Sequence, residues 1–213
     1  MSRPDPAAFI RSSLWLTPVP GLDGLRLYTG HPASGLGRFV AEHNDGRAPY
    51  WAYPWSGGLA LAAHLRAHPQ VVRDRHVLDL GAGGGVVAIA AMQAGAAHVT
   101  AAEIDPLGAA ALALNAEANG VIMSILTDDL LDGEPPAVDV VLVGDLFYAP
   151  DLAPRTGAFL ERCRAEGTAV LVGDPGRADL PLDRLTPLAR YEVPEVGAQR
   201  DAATTPATVY AFG

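Results

Sequence analysis

A chain of 213 residues with 49% hydrophobic and 18% charged side chains has the composition of one folded domain with a sizeable core, and excludes a disordered chain. A net charge of −9 argues against nucleic acid as the main partner, and no apolar run approaches the roughly 18 residues of a membrane span. The single cysteine, Cys163, excludes an internal disulfide and a cysteine-built metal site.

The opening MSRPDPAAFIRSSLW carries two prolines and no long apolar core, so no signal peptide is expected and the cytoplasm is the default location. Residues 1–48 are rich in Gly and Pro, with two strand-like runs, LRLYTG and GRFVAE. They read as an N-terminal extension packed on a main domain of residues 49–213. From Pro49 the pattern becomes regular. SGGLALAAHLRAHP predicts a helix that stops before Pro69, RHVLDLG a buried strand, and GVVAIAAMQAG an apolar helix closed by Gly95. AAHVTAAE is a second strand, and Asp105-Pro106 caps a helix that ends at Gly120.

VIMSILTDD and VDVVLVGD follow as strands, then the helix APDLAPRTGAFLERCRAEG and the strand TAVLVGDPG. Strands alternating with helices imply a parallel sheet covered on both faces. At the tail, PLARYEV and TPATVYAFG, separated by a polar loop, have no helix between them, which implies an antiparallel hairpin at one edge. The expected fold is α/β: a doubly wound, mostly parallel Rossmann-like sheet with a C-terminal antiparallel hairpin, the arrangement of the class I methyltransferases.

VLDLGAGGG runs from a strand through a glycine turn into a helix, where backbone N–H groups are free to meet a ligand. Gly81, Gly83 and Gly85 make Gly-x-Gly-x-Gly, with Val86 where the dinucleotide fingerprint would place its third glycine. Asp79 stands two residues before the loop. A carboxylate there accepts from an ammonium group, as S-adenosylmethionine carries, and repels a pyrophosphate. Glu103, at the end of the second strand, can accept from two ribose hydroxyls. Asp128 and Asp129 compete for an adenine amino group, with Asp129 favoured.

The fourth strand ends in Asp145, followed by Phe147 and Tyr148. A carboxylate beside aromatic faces suits a cationic amine brought in as methyl acceptor. Because an ammonium has no lone pair and a carboxylate stabilises its charge, Asp145 reads mainly as an orienting group, with proton acceptance secondary. Capping of the next helix is its bland alternative. Trp51, Tyr53 and Trp55 precede the first helix of the main domain, to lid a cofactor, line an amine channel or fill core. Asp174 opens Asp-Pro-Gly, a type II turn signal, at the end of the fifth strand. His43, His64 and His76 have no metal-ligand spacing, so no metal is assigned. The chain has no lysine; a compositional bias toward Ala, Arg, Gly and Pro explains that, and a lysine-modifying enzyme is compatible with it.

Together, PYWAYPWSGGLAL, VLDLGAGGG, EIDP, GDLFY and GDPGR resemble, in this order, the seven-strand protein lysine methyltransferases, and most closely the lysine methyltransferases of the electron-transfer flavoprotein β subunit. DLFY matches that family's Asp/Glu-x-x-Tyr signature after strand four. The resemblance implies methyl transfer from S-adenosylmethionine to lysine ε-amines of that subunit. It places Asp145 and Tyr148 beside the acceptor lysine; Phe147, Trp51, Tyr53 and Asp174 are further acceptor-side candidates from the residue reading itself. The glycine loop, Glu103 and Trp55 fall to the cofactor. Departures are Glu103 in place of Asp, Ala149 and Pro150 where relatives carry a further acid, and Pro206 in the last strand. An N-methyltransferase of small amines or nicotinamide-like rings would share every cofactor residue but have an enclosed pocket. A non-catalytic S-adenosylmethionine-binding protein and a nicotinamide-dependent dehydrogenase are the remaining alternatives, the latter disfavoured by Asp79 and Val86. The sequence does not specify oligomeric state.

Overall fold

The first elements are set by caps and small apolar faces. In the computed structural model, which describes residues 5–43, 47–195 and 203–213, Asp5 accepts from Ala7 N–H and Pro6 fills the first turn, starting helix α1 (Pro6–Ser13). Strands β1 (Trp15–Pro18) and β2 (Arg26–Thr29) form an antiparallel pair. GRFVAE, expected as a strand, is instead part of helix α2 (Leu36–His43). Leu36, Phe39 and Val40 recur at helical spacing and are buried, and the Phe39 ring stacks on Phe9 at 3.8 Å.

The regular part follows the expected alternation: α3 (Ser56–Ala67), β3 (His76–Leu80), α4 (Val86–Gln93), β4 (His98–Ala102), α5 (Pro106–Ala118), β5 (Ser124–Leu126), β6 (Val140–Gly144), α6 (Leu152–Ala165), β7 (Ala169–Asp174), β8 (Leu185–Pro194) and β9 (Thr204–Phe212). Strand β5 is shorter than VIMSILTDD suggested. The seven-stranded sheet has the order β5-β4-β3-β6-β7-β9-β8. The five strands from β5 to β7 are parallel, whereas β9 pairs antiparallel with both β7 and β8. Pro206 lies past the segment of β9 that pairs with β7, so its missing N–H interrupts no ladder there. The polar loop expected between β8 and β9 falls mostly outside the described residues.

Period-two alternation divides the core. Val77, Val99, Val140, Leu142 and Leu171 face α3 and α4, with Leu112 of α5 in the same cluster. Their neighbours Leu78, Leu80, Val141, Val143 and Val172 face Phe159, Leu160 and Cys163 of α6. Helix α4 is apolar all round because it is buried all round. The first elements pack on α5 through Ile10, Leu14, Phe39, Leu107, Ala111 and Leu114. Fully buried Asn115 of α5 accepts from Tyr28 N–H of β2 at 2.7 Å and donates to Gly84 O at 2.8 Å, tying that hairpin to the glycine loop. No helix among the described residues is long and apolar enough to cross a membrane.

Candidate active site

Strand order reverses between β3 and β6, which is where an open parallel sheet leaves a crevice at its carboxyl edge. A cavity of 650 Å³ opens there, within the roughly 300–1,000 Å³ of small-ligand sites. Its wall includes Gly81, Gly83, Glu103, Asp128, Asp129, Trp51, Trp55, Asp145, Tyr148 and Arg177. A 50 Å³ recess, lined by Asp79, Gly58, Gly84 and Tyr53, shares Gly81, Gly83, Trp55 and Asp145 with it.

The glycine loop closes on its neighbours. Gly81 has φ +71°, and a Cβ there would collide with the Leu146 side chain. Gly85, expected to touch the cofactor, lines neither cavity nor recess; it starts α4 at φ +87° and leaves room for Leu112. Glu103, at the end of β4, holds the loop by accepting from Gly83 N–H at 2.8 Å, while its other oxygen accepts from Asp105 N–H at 2.7 Å. Each oxygen keeps a second lone pair, which leaves capacity for ligand hydroxyls. Burial raises the Glu103 pKa, against those two backbone donors.

Asp79 belongs to the recess and not to the larger cavity. It accepts from Ala88 N–H at 2.9 Å, and burial pushes its pKa up to about 7. Asp129 is already committed: its oxygens accept from Leu131 N–H and from Arg155, which lowers its pKa. Asp128 lines the same wall, and no hydrogen bond or ion pair engages it among the described residues.

Asp145 follows β6 with φ +58°, a left-handed conformation that costs a non-glycine residue about 1 kcal/mol or more. Its Oδ2 accepts from Gly58 N–H at 2.9 Å, at the start of α3. That approach needs glycine: a Cβ on Gly57 would collide with Gly173 O and come 2.7 Å from Asp145 Oδ2. Its Oδ1 accepts from Arg177 Nη2 at 2.7 Å. Asp145, read from the sequence as facing an incoming amine, thus also has a partner within the protein, Arg177. Burial raises the Asp145 pKa and Arg177 opposes the rise. The site is not sealed, because Asp145, though only 7% exposed, lines the open cavity. Nor does it cap α6, whose N-cap is Asp151.

Other expectations separate by side-chain direction. Tyr148 is 48% exposed on the cavity rim with Tyr50 and Ile104 at 52% and 53%; burial of part of its ring raises its pKa. Phe147, expected to contact substrate, is instead core, packed among the α6-side residues and absent from the cavity wall. Asp174, expected likewise, is fully buried and outside the wall; its Oδ1 accepts from Gly176 and Arg177 N–H, as its turn reading allows. Trp51 is both core and wall, and its indole N–H is buried without an acceptor among the described residues. Trp55 donates from Nε1 to Tyr50 O, setting its ring at the cavity mouth. Sequence reasoning missed Arg177, Arg155 and the Gly57–Gly173 contact; the register pair Gly144–Gly173, each glycine preceding an acid, was a signal for the last.

A glycine cradle at a strand–helix turn, lone pairs spare on Glu103 and a cavity of cofactor size fit a nucleoside-bearing methyl donor. Fold and site together define a class I, S-adenosylmethionine-dependent methyltransferase. Residues 62–149 match the ribosomal protein L11 methyltransferase (PrmA) family. The electron transfer flavoprotein beta subunit lysine methyltransferase of Rattus norvegicus is 41% identical over 170 residues, covering 77% of this chain and 67% of the relative. Its Xenopus laevis counterpart is 37% identical over 213 residues, covering 97% and 87%. A magnesium protoporphyrin IX methyltransferase from Synechocystis, solved with SAH, superposes with a TM-score of 0.54 at 16% identity, over 85% of this chain and 95% of the other, a likeness of fold alone. The chain belongs to the electron transfer flavoprotein beta subunit lysine methyltransferase family. It is a protein-lysine methyltransferase whose cofactor is S-adenosylmethionine.

Proposed function

We propose that this chain methylates lysine side chains of the electron transfer flavoprotein beta subunit, the substrate named in its relatives. The observation carrying the protein-substrate reading is the open rim: Tyr50, Ile104 and Tyr148 stand about half exposed around a cavity that reaches Asp145. An enzyme of small amines would enclose its acceptor, whereas a protein's lysine must enter from outside on its own stem.

In this reading Gly81 and Gly83 take the cofactor against their backbone, Glu103 accepts from its ribose and Asp79 from its ammonium group. Asp128 and Asp129 lie at the adenine end, with Asp128's uncommitted carboxylate the better acceptor and Asp129 holding Arg155. Trp55 covers the mouth. When bound, S-adenosylmethionine supplies an electrophilic methyl group on a sulfonium. The protein's part is then positional. Tyr148 keeps its phenol proton and orients the amine by hydrogen bonding, and Asp145 holds the amine in line. Purified beta subunit and a pool of small amines, each incubated with enzyme and methyl-labelled cofactor, test this. Label on lysine of the beta subunit is expected; label confined to the small amines would overturn it.

A further inference from the structure

The guanidinium of Arg177 sits where an incoming cation would sit. Its Nη2 meets Asp145 Oδ1 on the cavity wall, and the remaining Asp145 oxygen is held by Gly58 N–H. Behind it stands Asp174, whose Oδ2 is 3.7 Å from Arg177 Nε. Neither of those two atoms has a hydrogen-bond partner among the described residues, so Arg177 is clasped by one carboxylate in front and a wholly buried one behind. The other charges facing Asp145 are few. The Gly57 and Gly58 N–H groups come from α3, Asp79 lies across the shared recess, and Glu103 lies further along the wall.

An acceptor amine must shed its proton before it has a lone pair to offer. At its ordinary pKa of about 10.4, a lysine is only ~0.1% neutral near pH 7.4. A bare carboxylate within about 4–6 Å would deepen that deficit by roughly 1–3 units. The ion pair removes that added cost, leaving desolvation and the sulfonium's charge to favour loss of the proton. We propose that Arg177 is a positioning residue that offsets the charge of Asp145 toward the acceptor, so that this carboxylate does not hold the lysine as ammonium. Asp174 holds Arg177 in place from behind, Arg177 offsets the charge of Asp145, and Asp145 orients the amine with less preference for ammonium than a bare carboxylate would have. The amine's proton leaves Nζ for bulk water through the open rim. This rests on the lysine-methylating reading above.

The test is the pH profile of kcat, which reports groups in the enzyme–substrate complex, on saturating purified beta subunit for wild type, Arg177→Gln and Arg177→Lys, with cofactor affinity measured alongside. Arg177→Gln should move the limb that rises with pH upward by about 1 unit, lowering kcat about tenfold near neutrality and recovering it at alkaline pH, with cofactor affinity unchanged. Arg177→Lys, which keeps the charge, should keep the wild-type limb; if the glutamine variant does not fold, a shifted limb in the lysine variant overturns the inference and an unshifted one supports it. A pH-independent loss in Arg177→Gln would mean a merely structural arginine. A faster enzyme with lower KM would mean that Arg177 competes for the amine's seat. Either result overturns the proposal. Wild type that methylates no lysine at any pH removes the underlying reading, and the inference with it.

Discussion

Asp79→Asn isolates the energetic consequence of a carboxyl buried beneath the glycine loop. Burial, reinforced by Glu103 and opposed by the Ala88 N–H bond, lifts the Asp79 pKa from 3.8 to about 7. Below about pH 4 the group is protonated in both folded and unfolded chains and contributes nothing. Between about pH 4 and 7 the unfolded chain has released the proton and the folded one retains it, so stability falls as pH rises and levels off above about 7. A shift of about 3 units corresponds to about 4 kcal/mol. Asparagine keeps an acceptor for Ala88 N–H and carries no charge. The variant should therefore match wild type near pH 4 and exceed it by up to about 4 kcal/mol at pH 8, in urea unfolding of the cofactor-free protein. The same carboxylate should pair with the cofactor's ammonium, so wild type should lose affinity about tenfold per pH unit below 7, and Asp79→Asn should bind weakly and without that slope. A stability difference identical at pH 5 and pH 8 would refute the reasoning.

Asp145→Asn should lower methyl transfer by about 10²-fold or more while cofactor affinity, by calorimetry, stays within a few-fold; equal loss of both would remove the acceptor role. Gly57→Ala forces α3 away from Gly173 O and Asp145, costing about 1–3 kcal/mol and most activity. Gly37→Ala, on a helix with open space around it, should be neutral or stabilising when both glycine variants are compared by thermal melts. Phe147→Ala should cost about 3–5 kcal/mol in denaturant unfolding, as a core residue does; a stable variant with a selectively raised KM for protein substrate would restore it to the acceptor side.

The sheet was legible because its strands are buried on both faces and bounded by turn residues. VLDLG and VVLVGD read as β3 and β6 without tertiary information, and their carboxyl ends converge where Asp79, Asp145 and Tyr148 were expected. GRFVAE was not legible, since a short run with few apolar residues suits strand and helix equally, and burial in the cluster that also holds Ile10 and Trp51, with Phe39 stacked on Phe9, decided it. Phe147 and Tyr148 are neighbours in one loop, and no local pattern says which ring turns inward. Arg177 is 32 residues from Asp145 and joins it only because β6 and β7 pair in parallel, Gly144 beside Gly173. Asp129 was preferred over Asp128 with no means of seeing Arg155, which reaches across from α6.

The most direct test is a structure of the enzyme with demethylated cofactor and a lysine-bearing segment of the beta subunit. The lysine should enter between Tyr50 and Tyr148, with Nζ within hydrogen-bond reach of Asp145 or Tyr148 and the Arg177–Asp145 pair intact. A lysine that reaches the cofactor by another opening, leaving Asp145 and Tyr148 untouched, would contradict the account.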